Sequence, residues 1–122
     1  MKVEEVNKEI KIISAIDKIE TPSDFLEVLM GCGGSSVIIY KEDLSDAFFD
    51  LKSKLAGECL QKVSNYRKRV AIIGDYSMYD SKSLRDFIYE SNKTKQILFV
   101  GSVDEALSIW GIQRKAKTSK FN

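Results

Sequence analysis

The stretch from Leu44 to Val100 constrains the fold of this chain more than any other part of it. Leu44, Phe48, Leu51, Leu55, Cys59 and Val63 recur at spacings of 3 and 4, with Phe49, Ala56 and Leu60 widening the stripe. That period predicts one long amphipathic helix starting at Leu44 or Ser45, roughly 30 Å in length at about 1.5 Å per residue. Gly57 in its middle signals either close packing on a sheet or a break in the helix. Val70–Ile73 is a short apolar, β-branched run that ends in Gly74-Asp75, as expected of a strand buried on both faces. A hydroxyl-rich loop follows. Asp80 or Ser81 then caps a helix whose Leu84, Phe87, Ile88 and Ser91 share one face and which ends at Asn92. Ile97–Val100 reads as a second buried strand.

The flanks complete the pattern. Residues 2–6 and 9–14 read as two short strands, with Asn7-Lys8 as the turn between them. Thr21-Pro22 opens a helix, threonine as cap and proline at the first helical position, and Gly31 with Gly33-Gly34 stops it. Val37–Tyr40 is another buried strand. Ser102-Val-Asp-Glu105 has the form of a capping box, followed by Val103, Ala106, Leu107 and Trp110 on one face and a stop at Gly111. The order is ββαβαβαβα. Strands joined through helices are expected to be parallel with right-handed crossovers, so the fold class is a single-domain α/β mixed sheet, mostly parallel, with an N-terminal antiparallel hairpin. The domain is expected to span residues 1–111, with 112–122 as a basic, disordered tail.

Charge narrows the function classes. The 122 residues carry 19 basic and 18 acidic side chains, a net +1. Arg114, Lys115, Lys117 and Lys120 all lie in the tail, which leaves 15 basic against 18 acidic residues in the body. A body of net negative charge does not suit a nucleic-acid partner. No apolar run approaches the roughly 20 residues of a membrane span, and Met-Lys-Val-Glu-Glu has no apolar leader core. Cys32 and Cys59 do not make a disulfide framework, so the expected location is cytoplasmic with reduced thiols. The chain has no histidine, which excludes Ser-His-Asp and Cys-His machinery, and neither a metal nor a cofactor is expected.

In parallel α/β sheets ligands gather at the carboxyl ends of the strands. The loops expected there are Lys41–Ser45, Gly74–Ser81 and Gly101-Ser102. They bring together Glu42, Asp43, Ser45, Asp75, Tyr76, Ser77, Tyr79 and Asp80, an inventory able to bind a metal through carboxylates, hold a polar ligand or accept a phosphoryl group, though loop residues of this kind more often serve as solvated caps and turns. Gly74-Asp75 is the sharpest pair: the glycine allows a turn or a close approach, and the aspartate an added hydrogen bond. Gly31-Cys-Gly-Gly-Ser-Ser36 lacks the Gly-Lys-Ser/Thr of a phosphate loop and precedes a strand, so it reads as a connector. Cys32 lacks a base, and Cys59 lies on the apolar stripe. Lys62, Arg67, Lys68 and Arg69 suit a helix C-terminus or, alternatively, an anion site at the opposite sheet edge.

The block Leu55-Ala-Gly-Glu-Cys-Leu-Gln-Lys62, with Asn65-Tyr-Arg67, Val70-Ala-Ile-Ile-Gly-Asp75 and Phe87-Ile-Tyr-Glu-Ser-Asn92, resembles a bacterial family of small proteins known as domain of unknown function 4180. That resemblance implies no activity. A looser likeness, in the order of elements, is to STAS-type domains. It implies a phosphoacceptor serine at the start of the helix after Val37–Tyr40, where Ser45 stands, although the Asp-Ser-Ser-Gly type of signature is absent.

Three readings follow. The first is a non-enzymatic regulatory or binding domain that acts through a protein partner or small ligand at Glu42–Ser45 and Asp75–Ser81. The second is a small enzyme using Asp75 with Tyr76, Tyr79 or Lys82 in a cleft. The third is an assembly protein, a homodimer in which Phe48 or Phe49 finds no room inside and pairs with a second copy.

Overall fold

A computed structural model describes residues 1–15 and 17–113. Among these residues five strands form one sheet in the order β1-β2-β3-β4-β5: Lys2–Glu5, Ile10–Ser14, Ser36–Tyr40, Arg69–Ile73 and Ile97–Val100. The β1–β2 pair is antiparallel and all the others are parallel, which gives the mixed sheet its expected form. The α-helices among the described residues are α1 Pro22–Gly31, α2 Leu55–Asn65, α3 Lys82–Thr94 and α4 Val103–Ile109.

The sheet is buried on both faces, and the alternation of each strand divides the core in two. Ile13, Val37, Ile39, Val70, Ile72 and Phe99 face α1, α2 and α3 and join Phe25, Leu29, Phe48, Cys59, Val63 and Leu84. Ile10, Ile12, Ile38, Ala71, Ile73, Leu98 and Val100 face the other way, onto Ala106, Leu107 and Trp110 of α4. Because the strands follow one another in order, α1, α2 and α3 all pack on one side, leaving the second face to α4.

Local chemistry sets the helix ends. Thr21 accepts from the Asp24 N–H at 3.0 Å, and the Asp24 carboxylate accepts from Thr21 N–H at 3.2 Å, a reciprocal cap with Pro22 at the first position. Ser81, rather than Asp80, caps α3 through the Leu84 N–H. Ser102 caps α4 through the Glu105 N–H, while the Glu105 carboxylate reaches one residue further back, to the Gly101 N–H at 3.1 Å.

The long helix expected from Leu44 to Val63 does not form. Leu44 is extended and pairs with Ile19: the Ile19 N–H donates to the Asp43 carbonyl at 2.8 Å and the Ser45 N–H to the Ile19 carbonyl at 3.0 Å. Those backbone groups are thereby removed from any helix. Short 3₁₀ turns follow at Asp46–Phe49 and Leu51–Ser53, and Lys54 at φ 65° ends the segment in a left-handed conformation. The Ser53 hydroxyl and the Asp50 carboxylate hold these turns by bonding nearby backbone groups. Only α2 remains α-helical, roughly 16 Å long. Gly57 lies in its first turn and faces open space, so it marks neither packing on the sheet nor a break. Phe48 and Phe49 are both buried, which removes them as a surface for pairing with a second copy.

Gly111, at φ 75°, stops α4, and the Ile112 N–H returns to the Leu107 carbonyl at 2.8 Å. Ile112 packs on the second core cluster and so belongs to the fold rather than to a tail. The basic tail expected beyond it lies, from residue 114 on, outside the described residues. Among the described residues no helix is long and apolar enough to cross a membrane.

Candidate functional site

The parallel pairing of β3 and β4 sets Tyr40 opposite Ile73, so the chain leaves both strands at the same edge of the sheet. The loops that follow touch. Lys41 lies directly across Gly74: a Cβ on that glycine would fall 2.6 Å from the Lys41 Cβ. The glycine is therefore required by the crossing of another side chain. Beyond it the Lys41 ammonium sits 5.1 Å from the Tyr79 ring centroid and 5.4 Å from that of Phe49. Those two rings stack at 5.4 Å. Lys41 thus straps the β3 exit to the β4 exit.

Around this strap the expected residues separate into two groups. Asp43, Tyr76, Tyr79 and Ser45 build the rim itself. The Asp43 carboxylate accepts from the Ala15 N–H at 3.2 Å and ties the β3 exit to the β2 exit. The Tyr76 hydroxyl donates to the Ile72 carbonyl at 2.6 Å, and burial, then the neighbouring Tyr79, raises its pKa above the ordinary tyrosine value. A phenol so held is a poor acid or base at neutral pH. The ring of Tyr76 packs edge-on against Phe99. The Ser45 hydroxyl oxygen is buried and has no hydrogen-bond partner, so a phosphoryl donor reaches it only if the 44–49 turn opens.

Glu42, Asp75 and Ser77 form the second group, exposed to solvent. Asp75 closes a small turn by accepting from the Ser77 N–H at 2.9 Å. The Ser77 backbone and hydroxyl, and to a lesser degree Lys41, hold its carboxyl below the usual aspartate range. Glu42 and Asp75 line one shallow hollow of about 320 Å³ together with Tyr40, Lys41, Ile73, Gly74 and Met78. Met78 is 61% exposed beside the two carboxylates.

Sequence reasoning missed one loop of the rim. Because β2 is parallel to β3, the segment after Ser14 also emerges here, and its Ile19–Leu44 bridge and the Ala15–Asp43 bond join it to the β3 exit. This segment borders a concavity of about 790 Å³, lined by Met1, Ala15, Asp17, Lys18, Ile19, Glu20, Asp24, Glu27 and Val28. The available signal was the alternation of Ile10 and Ile12 together with buried Ile13, a strand apolar on both faces and hence interior to the sheet. Lys41 was missed too, since a lysine in a polar loop ordinarily points to water.

The other candidates are structural. Cys59 is buried in the core, where burial pushes its thiol up to about 12. The Cys32 thiol donates to the Leu29 carbonyl at 3.3 Å inside the α1–β3 connector. At the opposite edge of the sheet the Lys68 ammonium donates to the Gly34 carbonyl at 2.6 Å. The Arg69 guanidinium there donates to Ser36 Oγ at 2.9 Å and lies 4.6 Å from the Trp110 ring. These cations fasten connectors.

The profile described as Domain of unknown function (DUF4180) matches residues 3–109, nearly all of the described chain. The chain belongs to the DUF4180 family. Neither a curated protein nor a solved structure matches it. Within this DUF4180 domain the sequence block that carries the resemblance maps onto α2, β4 with Gly74-Asp75, and the second half of α3. It therefore includes the turn on which the rim is built.

Proposed function

We propose that this DUF4180 domain is a non-enzymatic binding module that docks a protein partner on the rim formed by Glu42–Ser45 and Asp75–Ser81. The observation that carries this reading is the division of labour at the rim. The groups suited to acid–base chemistry, Tyr76 and Asp43, are committed to the Ile72 carbonyl and the Ala15 N–H. Glu42, Asp75 and Met78 line a shallow, open hollow together with Lys41, whose ammonium donates to the Met78 thioether at 3.8 Å, while one Asp75 oxygen closes the Ser77 turn. Two carboxylates against the single Lys41 cation leave this lining net negative, and with the exposed methionine that supports a peptide segment carrying a basic residue next to an apolar one. The hollow is shallow and open, which supports docking over the enclosed cleft that the enzyme reading needs.

Selection of a random-peptide display library on the folded protein tests the proposal. Enriched peptides should pair Lys or Arg with an apolar neighbour, and Glu42→Gln with Asp75→Asn should weaken their binding at least tenfold. Asparagine keeps the acceptor that closes the Ser77 turn, so loss of binding would report the charge and not a collapsed loop. Enrichment of peptides whose binding ignores both substitutions would reject the rim as the docking surface.

A further inference from the structure

The two edges of the sheet are finished differently. At β5, Asn92 of α3 stands in for a neighbouring strand: its side-chain amide donates to the Phe99 carbonyl at 3.2 Å and accepts from the Phe99 N–H at 2.6 Å. That edge is closed to another chain. At β1 every residue is exposed. The Val6 N–H donates to the Ile10 carbonyl at 2.9 Å, and hydrogen-bonding direction alternates along an antiparallel ladder. Val6, Glu4 and Lys2 therefore address β2, while Val3 and Glu5 turn their N–H and C=O groups outward.

The side chains along this edge are also ordered. Val3 pairs with Ile13 and so lies on the α1 side of the sheet. Met1 reaches toward Gly31 on the same side, next to Met30. Met1, Val3 and Met30 are 47%, 42% and 53% exposed, an apolar strip bordering the open strand. Lys2 and Glu4 occupy the opposite face. Glu5 is engaged by the buried Lys11 at 2.6 Å.

We propose that β1 pairs antiparallel with β1 of a second copy of this chain, about a two-fold axis through Val3, to make one continuous sheet across the dimer. Symmetry admits only registers that place like faces together. Centred on Val3, the register lets the two Val3 residues exchange outward N–H···O=C bonds and sets each Lys2 against Glu4 of the second copy. Centred on Glu4, it opposes two carboxylates. The charges that normally guard an edge strand are thus complementary in one register and repulsive in the next. The same register brings the two apolar strips together at the seam.

Sedimentation equilibrium of the full chain over a range of concentrations tests this. Wild type should approach twice the chain mass. Val3→Pro removes an outward donor without touching the β1–β2 ladder and should leave a monomer with unchanged circular dichroism. Lys2→Glu should weaken the dimer roughly tenfold, and Lys2→Glu with Glu4→Lys should restore it. If Val3→Pro does not fold, the charge exchange decides alone. A wild-type monomer throughout the soluble range, a dimer indifferent to Val3→Pro, or a double variant no tighter than Lys2→Glu would overturn the proposal.

Discussion

At Gly74 the missing side chain is what lets Lys41 cross between two strand exits and reach the Phe49 and Tyr79 rings. An added methyl group would meet the Lys41 stem at 2.6 and 2.7 Å, closer than real Cβ contacts allow. Gly74→Ala should therefore displace the strap. Ring-current shifts on the Lys41 side-chain protons should shrink, and urea unfolding should show a loss of about 1–3 kcal/mol, the range for overpacking. Unchanged shifts would mean that the strap does not lie where the contacts put it. Asp75 gives a second test at this scale. Its folded carboxyl pKa is depressed, so the contribution of the Ser77 turn is complete above the unfolded value of about 3.9 and is lost as pH falls through the lower folded value. An NMR titration should put the Asp75 midpoint below about 3.9, with the Ser77 amide moving in step. A midpoint at or above that value would contradict the assigned hydrogen bond. In the sequence Gly74-Asp75 stands out as a pair, with the glycine read as allowing a turn or a close approach. The sequence does not reveal that the glycine accommodates a lysine, because that neighbour arrives from a different strand.

Among the elements, those fixed by local rules were legible. Thr21-Pro22, Ser102 and the β-branched runs marked where α1, α4 and the buried strands lie, because caps and apolar runs act over a few residues. The segment 44–54 was misread since spacings of 3 and 4 suit 3₁₀ turns as well as an α-helix. What decides between them is the long-range pairing of Ile19 with Leu44. Asn92 shows the same limit: it resembles a helix end in sequence, yet it lies within α3 and closes the β5 edge. Asn92→Ala would leave the Phe99 N–H without its partner and should cost about 1–3 kcal/mol in chemical denaturation, with faster exchange of the Phe99 amide. Protection as in wild type would show that another group closes the edge. Gly57 faces solvent in the first turn of α2 with nothing within 4 Å of a Cβ. Gly57→Ala should raise stability by about 0.4–1 kcal/mol in the same assay, and a loss would mean that the turn needs glycine.

For the molecule as a whole, the sequential strand order has a functional consequence. Open α/β sheets form a ligand crevice where the strand order reverses, and β1-β2-β3-β4-β5 contains no reversal. The strand exits therefore make a continuous rim, strapped by Lys41 and Asp43, with a shallow hollow where β3 and β4 end and a wider concavity beside the β2 exit. A rim of this shape suits a surface contact better than enclosure of a small substrate, and that is why docking is the reading the geometry favours. Amide chemical-shift mapping of the ¹⁵N-labelled protein with a display-selected peptide tests it most directly. Perturbations should gather on residues 40–43 and 73–78, where the two exits meet. Perturbations confined to α4, or to the connectors at the opposite edge, would contradict the rim as the place where this protein meets its partner.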